Sequence, residues 1–319
     1  MLKNVSSLFI VIFVLIILSG CSNYFDGGQI QNVGMLVDSS IDDQALAEKG
    51  YEGLQDIGEK YEVDVFYEEN VMTEEETIEA VDAFVEDGVN LIFGHSNIYG
   101  AHFADIASSY PDVHFVYFNG GYVDENVTSL NFDSHAMSFF AGMVAGEMTE
   151  TDQIGMISAY EWQPEIEGFY EGVNYQNPSA EVQIKFNSDW NETNSAPEIY
   201  EDMRDDEVDV FYPTGDAYST GVIEEAEEDG LYAIGYGSDQ SKIAESTVLT
   251  STVQHIDKLY ELVADEFNTE SLEGTIMTFD FQDEFISLGQ FSPDVPRYFQ
   301  NEVKEAVDEY INNDLLPNQ

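Results

Sequence analysis

The sequence predicts an α/β protein of two doubly wound lobes, each built on a parallel sheet, with a hinge and a ligand cleft between them. Three observations carry that expectation. Apolar, β-branched and aromatic segments of strand length alternate with amphipathic segments of helical length, the pattern of β-α-β units. The strand-like segments recur with the same rhythm in both halves. The chain of 319 residues also exceeds what one core usually reaches before splitting, about 250–300 residues.

In the first half, strands are expected to begin near Gln31, Val63, Val89 and Val113, at spacings of 32, 26 and 24. In the second they begin near Gln153, Val182, Val208 and Leu231, at spacings of 29, 26 and 23. Helices are predicted over 45–60, 74–87, 99–110, 134–148, 165–175, 196–205 and 221–229. Thr73 precedes a Glu-rich first turn with Glu76 three residues on, the spacing of a capping box, and Ser134 is the expected cap of an apolar helix. The remainder supplies a strand over 247–253, a helix over 256–267, short strands over 275–281 and 285–289, and a last helix over 296–312, segments expected to cross between the lobes. The expected lobes are 31–131 with 252–283, and 132–251 with 284–319.

At the other end, Lys3 is followed by an unbroken apolar run over residues 8–18 that stops at Ser19-Gly20-Cys21. Eleven residues are too few for a helix to span a hydrocarbon core, which takes about 20, but suit the apolar segment of an export signal. Residues 1–21 are therefore expected to be a lipoprotein signal peptide, with Cys21 the lipidated residue and 22–30 a short tether. The expected localisation is the extracytoplasmic face of the cell membrane. Cys21 is the single cysteine, so no intramolecular disulfide staples the fold.

Asp and Glu number 64 against 9 Lys and Arg. Nucleic-acid binding draws most of its affinity from cations on phosphates, so no nucleic-acid partner is expected. Hydrophobic residues still make up 43% of the chain, above the content of a disordered acidic segment. The acid therefore coats a folded surface. It suits either a protein working at high salt, where the Debye length falls to about 3 Å, or an ordinary acidic bacterial surface protein.

A set of short motifs falls in a specific order: Val33-Gly34-Met35 before Ile41-Asp42-Asp43, Tyr51-Glu52-Gly53-Leu54, Gly168-Phe169-Tyr170-Glu171-Gly172-Val173, Ala233-Ile234-Gly235 with Ser238-Asp239-Gln240, and Leu249-Thr250-Ser251-Thr252-Val253. Over about residues 33–291 the chain resembles the basic-membrane-protein, PnrA-like family of solute-binding lipoproteins. The resemblance implies a type I periplasmic-binding-protein fold, a small nucleoside-like ligand and an ABC permease as partner. Within that family, Trp162-Gln163-Pro164-Glu165 and Val248 to Gln254 look like the Med subgroup, described as positive regulators of competence transcription, which implies an indirect regulatory role as the alternative. Several positions depart from the family's nucleoside pattern. Leu46 stands where an aromatic ring would stack on a base, Asn119 where Asp is favoured, Gly237 where an Asp would hold ribose, and Gln254 where Lys follows the Thr-Ser motif.

In open parallel sheets ligands sit beyond the carboxyl ends of the strands, so candidate ligand residues are taken from those loops. From the first half these are Asp38, Asp42, Leu46, His95 and Asn119. From the second they are Trp162, Phe211, Thr214, Gly215, Asp216, Tyr236, Asp239 and Gln254. Asp42 serves equally as a helix cap, and Trp162 either stacks on a planar ligand or packs the lobes together. One of Phe211 and Tyr212 belongs to the core, because side chains alternate faces along a strand. The Thr214-Gly215-Asp216 loop lacks the Gly-x-x-x-x-Gly-Lys pattern of a phosphate cradle. The five histidines show no ligand spacing and no serine sits in a nucleophile elbow. No metal, cofactor or enzymatic activity is expected.

Overall fold

The computed structural model describes residues 29–41, 44–190 and 193–319. Cys21, the signal segment, residues 22–28 of the tether and Asp42 lie outside the described residues. The first half runs β1 (Val33–Leu36), α1 (Ala45–Tyr61), β2 (Val65–Glu68), α2 (Glu74–Glu86), β3 (Leu91–Gly94), α3 (Tyr99–Ile106), β4 (His114–Phe118) and β5 (Val127–Phe132). Helix α4 (Ser134–Met148) leads into β6 (Gln153–Ser158), α5 (Pro164–Gln176), β7 (Glu181–Phe186) and α6 (Ala196–Asp205). There follow β8 (Val210–Thr214), α7 (Asp216–Asp229), β9 (Tyr232–Gly237) and β10 (Val248–Gln254). Last come α8 (Ile256–Asn268), β11 (Ile276–Phe279), β12 (Ile286–Leu288) and α9 (Arg297–Asn313).

These strands form two six-stranded sheets, ordered β11-β5-β4-β3-β1-β2 and β12-β10-β9-β8-β6-β7. Every neighbour pair is parallel except β10 with β12. The two orders are the same pattern repeated, as the common strand rhythm predicts. Central strands β1, β3, β4 and β8 are buried along their whole length, as in sheets covered on both faces. The edge strand β7 instead exposes Glu181, a charge that discourages edge-to-edge pairing.

The chain passes between the sheets three times, after β5, after β10 and after β11. The expected boundary at residue 252 falls inside β10, which stays in the second sheet and pairs Thr252–Gln254 with β12. One apolar core runs through the junction, including Leu54, Phe93, Phe140, Tyr212, Tyr260 and Phe299. At its centre lies α4, apolar around its whole circumference from Ala136 to Gly146, the composition of a helix with no solvent face. Helix α5 crosses it so closely that a methyl group added at Gly142, Gly168 or Gly172 would overlap the backbone of the other helix.

One strand was not anticipated, and two local expectations are corrected. Strand β5 was not legible because Thr128, Ser129 and Asn131 interrupt its apolar pattern. Thr128 and Ser129 are nevertheless fully buried, and their hydroxyls donate to the carbonyls of Glu273 (2.8 Å) and Gly120 (2.7 Å). Helix α7 begins at Asp216, five residues before the expected start at Gly221. The cap of α4 is Asp133, whose carboxylate accepts from the Ala136 N–H at 3.2 Å, with Ser134 already inside the helix. The capping box at Thr73 and Glu76 forms as expected, the Thr73 N–H donating to Glu76 Oε2 at 2.9 Å.

Candidate functional site

In both sheets the strand order reverses next to the first strand of the half, between β1 and β3 and between β6 and β8. Loops leaving the carboxyl ends there diverge, which opens a crevice. The two crevices face each other and make one interlobe cleft with two chambers. The first, with about 630 Å³ of empty space, is lined by Asp38, Leu46, His95 and Asn119 from the first lobe's loops. Trp190, Asp216 and Tyr236 face them from the second sheet's side, with Gln254 at the end of β10 and Ile256 at the start of α8. The second chamber, about 570 Å³, shares Asn119, Trp190 and Tyr236 with the first and adds Asn131, Ser134, Trp162, Gln163 and Glu165.

The clearest link across the cleft is Asp216. Its Oδ2 accepts the Leu46 N–H at 2.9 Å, and the Ala45 and Ala47 amides face the same carboxylate. Those are the first three residues of α1, whose N-cap Gln44 makes no side-chain cap. The first lobe's helix thus receives its capping carboxylate from the second lobe. Burial pushes the Asp216 carboxyl up to about 7, the charge of Asp38 adds to the rise, and the three amides partly offset it.

A carboxyl raised from 3.8 to about 7 binds its proton more tightly in the closed fold than in the unfolded chain. Its contribution to stability is fullest below pH 4 and is lost as the pH rises through 7. Asp216→Asn keeps the shape, and its amide oxygen can take the α1 amides. The variant is therefore expected to gain stability over the parent by on the order of 2 kcal/mol more at pH 8 than at pH 5. Guanidinium denaturation at the two pH values measures this, and an equal difference at both contradicts it.

His95 is nearly buried, with Nδ1 3.0 Å from the Tyr260 hydroxyl and its ring against Phe118. Burial lowers the imidazole to about 4, so it stays neutral near pH 7. Asn119 closes β4 with φ +57°, a left-handed conformation that asparagine tolerates better than most residues. Gly120, which follows it, is kept small because a Cβ there would lie 2.6 Å from the Tyr117 ring.

Two departures from the nucleoside pattern meet in space. A Cβ built on Gly237 would lie 3.0 Å from Leu46 Cδ2, so the leucine fills the room that an acidic side chain at 237 would occupy.

Of the sequence-predicted residues, Asp38, Leu46, His95, Asn119, Asp216, Tyr236 and Gln254 come together at the first chamber and Trp162 at the second. Phe211, Thr214, Gly215 and Asp239 line neither chamber. Phe211 packs in the core with its ring 4.5 Å from Tyr200. Thr214 is fully buried and holds Ser158 Oγ at 3.0 Å. Gly215 is the residue before α7, kept small by the Tyr218 ring. Asp239 accepts the Ser241 and Gln290 amides, each at 3.1 Å.

The sequence reading missed Trp190 and Glu165 as lining residues. Trp190 was detectable as one of only two tryptophans, four residues past the end of a strand. Glu165 was quoted as part of a motif and carries a stronger signal in space. It is 4% exposed, its carboxyl is pushed up by burial, and its Oε2 has no hydrogen-bond partner. Ser134, Gln163 and Tyr236 face it and partly counter the rise.

Two parallel sheets facing across a cleft, with crossing segments at its base, define the two-lobed class of solute-binding proteins. The chain belongs to the Bmp family, described as ABC transporter substrate-binding protein PnrA-like, whose model matches residues 30–316. It is 42% identical over 313 residues to the transcriptional activator protein med of Bacillus subtilis, covering 98% of this chain and 99% of that one. Basic membrane protein A1 of Borrelia garinii is 22% identical over 97% of this chain and 95% of its own. Among solved structures, a transcriptional activator of the comK gene from Bacillus halodurans superposes with a TM-score of 0.82 at 43% identity, covering 89% of this chain and 99% of that one. An ABC-transporter solute-binding protein from Aeropyrum pernix has the same fold, with a TM-score of 0.73 at 18% identity over 90% of this chain and 83% of that one.

Proposed function

We propose that this chain is a membrane-anchored solute-binding lipoprotein, tethered through Cys21, that closes its two lobes on a small polar ligand and passes it to an ABC permease or reports its presence. In this reading the lobes are 31–131 with 252–283 and 132–251 with 284–319, except that β10 stays whole with the second. Its ligand contacts are Asp38, Leu46, His95, Asn119, Asp216, Tyr236 and Gln254, with Trp162 beside the second chamber. The observation that carries the reading is the cleft itself, walled from both sheets and furnished with polar side chains that a sealed interface would have no use for. Lobe closure about crossing segments is a known route from ligand binding to a signal or a hand-over.

The test is to identify small molecules released from denatured purified protein and return them to the ligand-free protein in a thermal-unfolding assay. A true ligand at 100 times its Kd is expected to add about 2.7 kcal/mol. Asn119→Trp, which blocks both chambers, should abolish that gain. A gain that survives the blocking variant removes the cleft from the function.

A second reading is favoured by the relatives at 42% and 43% identity, both described as transcriptional activators. Here the chain is a regulatory lipoprotein acting through a partner, because a formal charge of −55 repels duplex DNA. The Asn119→Trp variant separates the two. Regulatory output that persists without ligand binding supports the partner-mediated role, and its loss supports ligand sensing.

A further inference from the structure

The furnishing of the cleft narrows the ligand class, an inference that rests on the receptor reading above. Acidic lining by itself decides little in a chain this acidic. What decides is the company the buried acid keeps. Both tryptophans of the chain stand at the cleft, their rings 6.0 Å apart and steeply inclined at 70°. Tyr160 joins them, stacked on Trp162 at 5.4 Å and edge-on to Trp190 at 5.5 Å. Trp162 is 57% exposed, an unusual position for so large an apolar surface unless something covers it. Glu165 lines the same chamber as both indoles, with its buried Oε2 unpartnered. Asp216 places a second buried, unpartnered carboxyl oxygen at the adjoining chamber. Among the described residues lining the two chambers there is no Lys or Arg.

Aromatic faces and a carboxylate attract the same thing. The negative face of an indole draws a cation, most strongly where water is excluded. A buried carboxyl left without a partner is costly until a positive charge or donor reaches it. A neutral heterocycle could stack on Trp162 but offers the buried oxygens no charge. We propose that the interlobe cleft receives an organic cation, a compact ammonium or quaternary ammonium group seated between the Trp162–Trp190 pair and Glu165.

The experiment uses the purified protein, choline as probe, and 3,3-dimethylbutan-1-ol as the isostere in which carbon replaces the charged nitrogen, with inosine as a neutral nucleoside. Because both tryptophans lie at the cleft, intrinsic fluorescence reports the site directly, and calorimetry at constant ionic strength gives Kd. Choline is expected to quench the emission and to bind at least about tenfold more tightly than the isostere. Glu165→Gln removes the charge at constant volume, and Trp162→Leu removes a ring that is 57% exposed. Each is expected to weaken choline at least about fivefold while leaving the denaturant midpoint within about 10% of the parent's. Equal binding of choline and its isostere, or full choline affinity in both variants, overturns the cationic seat. Binding of inosine without choline overturns the ligand class but leaves the receptor reading standing. No binding of any probe also overturns the proposal, and the receptor reading then stands or falls on the separate test with released small molecules.

Discussion

Gly172→Ala is expected to cost about 3 kcal/mol or more of folding stability, at the upper end of overpacking effects. A methyl group at 172 would overlap the Phe139 carbonyl of α4, and one at Gly168 the His135 carbonyl. These are backbone atoms within a continuous helix, so no rotamer change relieves the overlap. The helices would have to separate, and α4 is buried around its whole circumference with Phe139, Phe140 and Met143 in the shared core. Parting the two helices would therefore loosen packing in both lobes. Gly221→Ala is the control, since a Cβ there meets nothing within 4 Å and the position lies inside α7. It should be neutral or stabilise by up to about 1 kcal/mol through helix propensity. Denaturant midpoints with unchanged slopes measure both, and a Gly172→Ala protein as stable as the parent removes the close crossing from the account.

Raising KCl from 0.1 to 2 M is expected to raise the midpoint of thermal unfolding by about 10 °C or more. The formal charge of −55 is little compensated by ion pairs. Lys60 already faces both Glu261 and Asp265, and Arg204 both Asp205 and Asp229. If mutual repulsion costs only about 0.1 kcal/mol for each uncompensated charge, the sum is on the order of 5 kcal/mol. Screening at molar salt removes most of it, and about 2–4 °C accompanies each kcal/mol in a chain of comparable size. Sucrose at matched osmolality separates screening from solute exclusion. A midpoint that does not move with KCl would show an ordinary acidic surface with no salt requirement.

The parallel-sheet architecture was legible because buried parallel strands leave nearly continuous apolar runs, as Leu91-Ile92-Phe93 and His114 to Phe118 do. Helix limits were legible to within a residue or two where caps or charge changes mark them, as at Thr73 and Asp229. Strand β5 was hidden because its polar residues are satisfied by main-chain carbonyls, that of Gly120 for Ser129 and that of Glu273, 145 positions along the chain, for Thr128. In the site, the rule that ligands meet strand ends picked out Asp38, His95, Asn119 and Tyr236, which line the first chamber. The same rule included Thr214 and Phe211, whose side chains turn into the core of the second lobe. Proximity to a strand end says nothing about which way a side chain points.

The order and type of secondary structure, the repetition of one sheet pattern and the acid surface follow from residues near one another in the chain, where periodicity and composition operate. The Gly168-x-x-x-Gly172 motif could be recognised in the sequence, but its cause, two helix backbones in contact, exists only in the packed protein. Likewise only tertiary structure sets Asp216 against the amides of Ala45, Leu46 and Ala47, about 170 residues away. Glu165, Trp162 and Trp190 also meet at one chamber only there. A carboxyl's charge, a ring's accessibility and a cleft's preference for its ligand depend on what surrounds them, and those surroundings come from distant parts of the chain.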